Sequence, residues 1–326
     1  MSDISIIIPA RNEMFLRNTV ENILLNIEGS TEIIVILDGY WPVGGLPDDS
    51  RITIVHYENS IGQRAAINVG SRISTSKYLI KVDAHCCFDK GFDVKLLEDM
   101  KDNWTLVPTM KNLHAFNWKC PDGHIRYQSP SGPCDFVIGN ETINDIVVNK
   151  LCGKNTSMEI IFSPRSRTPN SNSYLFDTEP HFQYFNEFCK RPEGSGDLTE
   201  SMSIQGSFFM VSRKMFKQLN MCDEAFGSWG SQGIEIACKT WLTGGQVMIS
   251  HKTWYAHMFR TQGGDFGFPY EQSGNQVEHA KKYAKELFFE RKWKNQVLPL
   301  SWLVRKFMPV RGWTEEDIIK LEENGN

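Results

Sequence analysis

The sequence predicts an α/β fold with a mostly parallel sheet and helices on both faces. Two observations carry this. Near-continuous β-branched runs recur at residues 4–8, 33–37, 52–55 and 78–82, and segments with helical spacing separate them. Such runs belong to parallel strands buried on both sides.

Taken in order, Ile4, Ile6, Ile7 and Ile8 make the first buried run, stopped by Pro9. Val20, Ile23, Leu24 and Ile27 repeat at helical spacing. The runs at 33–37 and 52–55 are two further strands, residues 62–73 read as helix, and residues 78–82 return to strand. Parallel sheets bind ligands beyond the carboxyl ends of their strands, and Asp38 and Asp83 each lie just past one. From 109 to 200 the pattern weakens. Pro, Ser, Asn and Gly are frequent, and the stretch is too long for a simple loop, so it reads as irregular hairpins or a mobile insertion. Residues 206–211 are strand again, a short helix starts at Arg213, 233–242 reads as helix and 247–250 as strand. Beyond Gln276 the chain is mostly helical, and Thr314 to Asp317 has the form of a capping box for a last helix. There is no internal repeat.

Of 326 residues, 40% are apolar and 23% charged, which excludes wholesale disorder. A net charge of −4 excludes a uniformly basic nucleic-acid coat protein. No apolar run approaches the roughly 18 residues of a membrane span. Met1-Ser2-Asp3 opens directly into a strand-like segment, so neither export signal nor anchor is read and the expected location is the cytoplasm. The eight cysteines are then expected as reduced thiols. His114, Cys120, His124 and Cys134 fall close together, but their spacings match no standard zinc finger or ribbon, so they read as loop residues with buried thiols.

Asp83-Ala84-His85 is the most informative triplet. In extended backbone, residues i and i+2 project to one side, so a carboxylate and an imidazole converge. That pair suits a divalent ion such as manganese, which also accepts phosphate oxygens; the plainer alternative is an aspartate capping a turn. Asp38 stands where a nucleotide-contacting carboxylate is usual. His257 is a candidate third ligand or a structural histidine. Arg260, three positions on, is able to hold a phosphate bidentately.

These residues resemble the polypeptide N-acetylgalactosaminyltransferases. Val82-Asp83-Ala84-His85-Cys86-Cys87 is similar to their D-x-H metal motif, which replaces the D-x-D of other GT-A glycosyltransferases. Gly206-Ser207-Phe208-Phe209 resembles their G-G-L-F strand. Residues 229–245 resemble their W-G-G-E-N-x-E…W-x-x-G-G block, and Ala256-His257-Met258-Phe259-Arg260 with Phe268-Pro269-Tyr270 their G-H-V-F-R…F-P segment. Residues 6–13 look like the opening strand of family-2-type transferases. The matches keep the family's order from about residue 4 to 272.

The resemblance implies a GT-A fold and transfer of a sugar from a UDP-linked donor to a hydroxyl, with retention by front-side attack. It implies Mn²⁺ or another divalent cation on Asp83, His85 and His257. Pro9, Arg11, Glu13, Asp38, Arg64 and Asp83 would serve the nucleotide. Trp229, Gln232 and Glu235 would face the donor sugar, Arg260 would steady the leaving diphosphate, and residues 261–270 would form a lid hinged at Gly263 and Gly264. It divides the chain into a catalytic domain, 1–272, with a nucleotide-binding half, 1–108, and an acceptor half, 109–272; a basic helical extension, 273–326, follows. Gln232 departs from the family's Glu and leaves donor identity open, with a sugar-nucleotide-binding protein lacking catalysis as the alternative. The family's anchor and lectin domain are not found in this sequence.

Between Lys281 and Gly312 nine bases face two acids, a net +7 that leaves −11 for the rest of the chain. Trp293 and Trp302 are interleaved and Trp313 follows. A solvated helical face is the plain reading. The functional one is a patch for an anionic polymer, which favours a hydroxymethylated DNA base, as some phage-encoded transferases use, over a protein Ser/Thr hydroxyl as acceptor.

Overall fold

The computed structural model describes residues 2–143, 146–169, 172–260, 266–270 and 274–324. β1 (Ile4–Ala10) is buried along its whole length. It leads into α1 (Leu16–Asn26), whose Leu16, Val20 and Ile23 form the buried stripe. β2 (Thr31–Asp38), β3 (Ile52–Tyr57), α2 (Gln63–Ile73) and β4 (Tyr78–Val82) follow. β1 lies between β2 and β4, parallel to both, and β3 extends the sheet beyond β2. Ile34 and Ile36 of β2 pack with Ala66 and Val69 of α2, whereas Ile33, Val35 and Leu37 join Val20 and Ile23 of α1 in the main core. The two sides of one strand therefore meet two helices.

β5 (Cys86–Phe88), α3 (Phe92–Asp99) and β6 (Trp104–Lys119) come next. β6 runs straight through the boundary expected at residue 108. Pro108 and the alternating polar side chains hide it in the sequence, yet Leu113 and Ala115 are buried on alternate positions. Its far end carries β7 (Ile125–Tyr127), β8 (Val137–Ile143), β9 (Ile146–Leu151) and β10 (Ser157–Pro164). β7 and β10 pair with β6, while β8 pairs with β9. The stretch without clear pattern is thus built of short antiparallel strands. It continues with the hairpin of β11 (Tyr174–Phe176) and β12 (Phe182–Tyr184), and with β13 (Leu198–Glu200) at the sheet edge.

β14 (Phe208–Ser212) runs antiparallel between β4 and β6. After α4 (Arg213–Gln218) and α5 (Gln232–Trp241), β15 (Gln246–His257) returns parallel to β6. β15 is longer than the four residues its apolar run suggests. A register shift between Ser250 and Trp254 interrupts the pattern, and pairing then resumes up to His257.

α6 (Gly274–Ala284), α7 (Leu300–Phe307) and α8 (Glu315–Asn324) close the chain. Thr314 and Asp317 exchange side chain-to-backbone hydrogen bonds at 2.9 and 3.2 Å, the expected capping box. Phe288, Leu303, Phe307 and Ile318 belong to the same core as the central strands. The extension therefore shares one interior with the rest of the chain. Its bases are largely engaged: Lys285 pairs with Glu179, Lys306 with Glu200, Arg311 with Glu187, and Arg305 with Glu315 and Glu322. Trp313 is buried and donates to Phe176 O. The acids that answer the +7 come from outside the segment, so local charge counting could not see them.

Gly70 of α2 faces β1, where a Cβ would meet Ile7 Cγ2 at 2.5 Å. Gly70→Ala should cost about 1–3 kcal/mol by overpacking, more than the ~1 kcal/mol that Ala gains over Gly in a helix. Urea unfolding should show a lower midpoint with unchanged slope. A variant as stable as the parent would mean that this helix–strand contact has slack.

Candidate active site

The parallel strands β1 and β4 end side by side, and β15 brings His257 to the same place. Asp83 follows β4 and donates its N–H to Ser207 O at 2.9 Å, which fixes it beside β14. His85 and His257 are almost fully buried, with ring centroids 4.8 Å apart and Nε2 atoms 3.1 Å apart. Asp83 Oδ2 lies 3.3 Å from His257 Nε2 and 3.8 Å from His85 Nε2. One ligand atom from each of the three residues falls within 4.8 Å of the others.

Glu13 completes this arrangement. Its Oε2 is 3.1 Å from His85 Nδ1, and its other oxygen contacts the Arg260 guanidinium. A carboxylate only accepts, so the His85 proton resides on Nδ1 and the Nε2 lone pair points at His257. His257 Nδ1 is buried and has no hydrogen-bond partner among the described residues. Two imidazole nitrogens and a carboxylate oxygen thus converge, the donor set of a divalent-cation site. These residues fit such an ion.

The electrostatics agree. Burial pushes the His257 imidazole down to about 4, against its hydrogen bond to the Asp83 carboxylate, so the ring is neutral at pH 7. Burial opposes ionisation of Asp83, but the Lys81 ammonium and the two imidazoles hold it well below the usual carboxylate range. Lys81 is itself buried, contacts Asp83 Oδ1 and donates to Gly206 O at 2.7 Å. It was missed from sequence. The available signal is a lysine inside the apolar strand β4, where a buried charge needs a partner.

These groups line one end of a cavity of about 430 Å³. Pro9, Glu13, Asp83, His85, Trp229, Gln232, His257 and Arg260 are on its wall, as are Phe268 and Tyr270. Gly233 lets α5 begin this close, since a Cβ would meet Ile204 O at 1.9 Å. Arg260 stacks on Phe266 at 4.3 Å, and Trp229 meets Phe268 edge-on. Of the expected lid, 261–265, including the Gly263–Gly264 hinge, lie outside the described residues. His181 beside β12 and Lys281 of α6, 2.9 Å apart, also reach the wall, so the segments read as insertion and extension both help to enclose it.

Four expected site residues stand elsewhere. Glu235 is fully buried behind the wall, 3.1 Å from Arg64 and 2.8 Å from Lys239, and accepts from Asp223 N at 2.7 Å. Arg64 also donates to Gly227 O and Gly230 O. This buried triad shapes the turn that presents Trp229. Asp38 accepts from Ser60, Gly62 and Tyr270 at 2.9 to 3.1 Å and organises the loop before α2. Arg11 donates to Pro269 O at 2.9 Å and to Asp38 O at 3.2 Å. Direct donor contact by these four remains an expectation from the sequence; in this fold their polar groups are engaged by neighbouring backbone and side chains.

Residues 5–118 match the family described as Glycosyl transferase family 2. The chain is 25% identical over 252 residues to polypeptide N-acetylgalactosaminyltransferase 3 of both Mus musculus and Homo sapiens, covering 74% of this chain and 33% of each relative. Among solved structures it is similar to GalNAc-T7 crystallised with UDP, GalNAc and Mn²⁺, at 15% identity and a TM-score of 0.61, covering 99% of this chain and 55% of that one. The chain thus spans about half or less of the length of these proteins. It has the GT-A fold and carries the family 2 signature in its N-terminal third. Among the described residues no helix is long and apolar enough to cross a membrane.

Two outcomes follow for the site. Glu235→Gln should destabilise the fold by about 3–5 kcal/mol, because Arg64 and Lys239 are left buried without their anion. Chemical denaturation measures this, and a fully stable variant with reduced turnover would return Glu235 to the donor. For His257, the native ring titrates near 4 and the unfolded one near 6.5. Its contribution to stability is therefore complete above pH 6.5 and is lost as pH falls towards 4, to the extent of about 3 kcal/mol. In chelator-treated protein, His257→Gln should flatten the stability–pH curve across that window; an unchanged curve would mean the ring is not buried as a neutral group.

Proposed function

We propose that this protein is a divalent-cation-dependent glycosyltransferase that moves a hexosyl or N-acetylhexosaminyl group from a UDP-linked donor to a hydroxyl acceptor. The observation that carries the reading is the convergence of Asp83, His85 and His257 beside Arg260 at one end of an aromatic-walled cavity. The family 2 match and the likeness to the transferases named above support it.

A cation held by those three residues would offset the charge of the donor diphosphate. Arg260, oriented by Glu13 and by stacking on Phe266, is placed to stabilise the negative charge that builds on the leaving oxygen. Trp229 and Gln232 face the sugar; the neutral Gln232 amide is able both to donate to and accept from its hydroxyls. Among the described residues the carboxylates on the cavity wall are Glu13 and Asp83, and both are already engaged. That disfavours a covalent glycosyl intermediate on a side chain and supports front-side attack with retention. The bond from the anomeric carbon to phosphate breaks, the bond to the acceptor oxygen forms, and the acceptor proton passes to the leaving diphosphate.

For the acceptor, a protein Ser/Thr hydroxyl is the better reading than a hydroxymethylated DNA base. Four of the nine bases in the segment that suggested DNA pair with Glu179, Glu187, Glu200, Glu315 and Glu322, five acids that reduce its +7 to +2. DNA affinity follows the number of phosphates neutralised by available Lys and Arg.

UDP release should be measured with UDP-GalNAc, UDP-GlcNAc and UDP-glucose, with Mn²⁺, offering Ser/Thr peptides and hydroxymethylated duplex DNA in turn. Release with at least one donor is expected, and Arg260→Ala should lower kcat roughly 10²–10³-fold. UDP binding without release from any donor would make the protein a sugar-nucleotide-binding module. Duplex DNA should bind no more tightly at low salt than at high salt, and a steep salt dependence would restore DNA as acceptor.

A further inference from the structure

Off the cavity wall, the insertion between β6 and β10 holds a second convergence of side chains. Cys120, His124, Cys134 and Cys152 each place one ligand atom within 4.8 Å of the other three. His124 Nδ1 is 3.5 Å from Cys120 Sγ and 3.6 Å from Cys134 Sγ. A tetrahedral zinc ion with Zn–S near 2.3 Å and Zn–N near 2.0–2.1 Å sets its ligand atoms about 3.5–3.8 Å apart. The two separations from His124 Nδ1 are those between corners of such a tetrahedron.

The backbone builds the site from two turns. In the first, Gly123 N donates to Cys120 O at 2.9 Å and Cys120 N to His124 O at 3.1 Å, with Gly123 at φ +84. In the second, Cys134 N donates to Lys154 O at 2.8 Å and Gly153 N to Cys134 O at 2.9 Å, with Gly153 at φ +68. The turns therefore clasp Cys134 and Cys152 together at the base of the β8–β9 hairpin. The His124 ring is stacked on Phe136 at 4.1 Å. His114, grouped with this set in the sequence, instead bonds Asn117 and takes no part. Cys152, which was not grouped with it, lies 18 residues beyond Cys134 and is brought in by the hairpin.

The insertion also lacks another interior. Between residues 121 and 156, Cys134 alone among the described residues is buried, and every residue of β8 is exposed. A two-stranded hairpin without an apolar face is marginal by itself, and segments this small are held by disulfides or metals.

We propose that Cys120, His124, Cys134 and Cys152 bind one zinc ion in a structural Cys₃His centre that fastens the β8–β9 hairpin to the end of β6. The four ligands close the coordination shell, so the centre has no position for substrate. Three thiolate sulfurs select zinc over manganese, which prefers oxygen ligands. This centre is independent of the proposed transferase activity. Binding releases the thiol protons, so zinc should be lost on acidification.

The test is metal analysis of the full chain purified with both zinc and manganese in the medium. One zinc per chain should survive dialysis, in the parent and in Asp83→Ala, and should be absent from Cys134→Ser and Cys152→Ser. Because those variants risk misfolding, the parent protein loaded with Co²⁺ provides a second reading: thiolate-to-cobalt charge-transfer and visible d–d absorption of a tetrahedral site. A zinc-selective chelator should expose residues 121–156 to limited proteolysis, with protection restored by Zn²⁺ and not by Mn²⁺. Zinc-free parent protein, zinc retained in both cysteine variants, or a disulfide between two of the three cysteines in freshly reduced protein would overturn the proposal.

Discussion

The carboxylate of Glu13 is the interaction on which the site depends. It sits at the end of β1, where the chain turns into α1, and it answers two groups at once, the His85 ring and the Arg260 guanidinium. A charge buried this deeply persists only when its lone pairs are taken up. The two partners come from β4's carboxyl end and from the segment after β15, more than 70 and 240 residues away along the chain. Fixing the His85 proton on Nδ1 decides where its other nitrogen points. Fixing Arg260 decides where positive charge stands. One side chain thereby sets the orientation of both a ligand nitrogen and the group placed for a leaving anion, as partners behind metal ligands commonly do.

A second buried cluster does comparable work from behind. Glu235 binds Arg64 and Lys239, and Arg64 reaches on to the carbonyls of Gly227 and Gly230. The turn that carries Trp229 is therefore held by charge-assisted bonds rather than by apolar packing, which a Gly-rich turn cannot supply. Asp38 and Arg11 act in the same way on the segment that ends at Tyr270. Four charged residues expected from the sequence as donor contacts also brace, in three dimensions, the turns beside the cavity.

Charge balance in this fold is settled over long sequence distances. Lys285 and Glu179 are 106 residues apart, and Lys306 and Glu200 the same. A chain with a strongly positive stretch and a negative remainder folds so that the two meet, and the resulting surface carries less field than either part alone.

Sequence patterning alone yields the parallel strands β1 to β4, the α1 and α2 coverings, the capped last helix and the Asp83–His85 pair. Each rests on a periodicity or spacing of a few residues, which is local information. Only the tertiary structure decided that His257 faces His85, that Lys81 and Glu13 complete the cluster, and that Arg64 and Glu235 satisfy one another out of contact with the cavity. It alone replaced His114 by Cys152 in the cysteine cluster. Those outcomes depend on which polar groups meet across strands that are remote in sequence, and a buried charge takes whichever partner the packing brings to it.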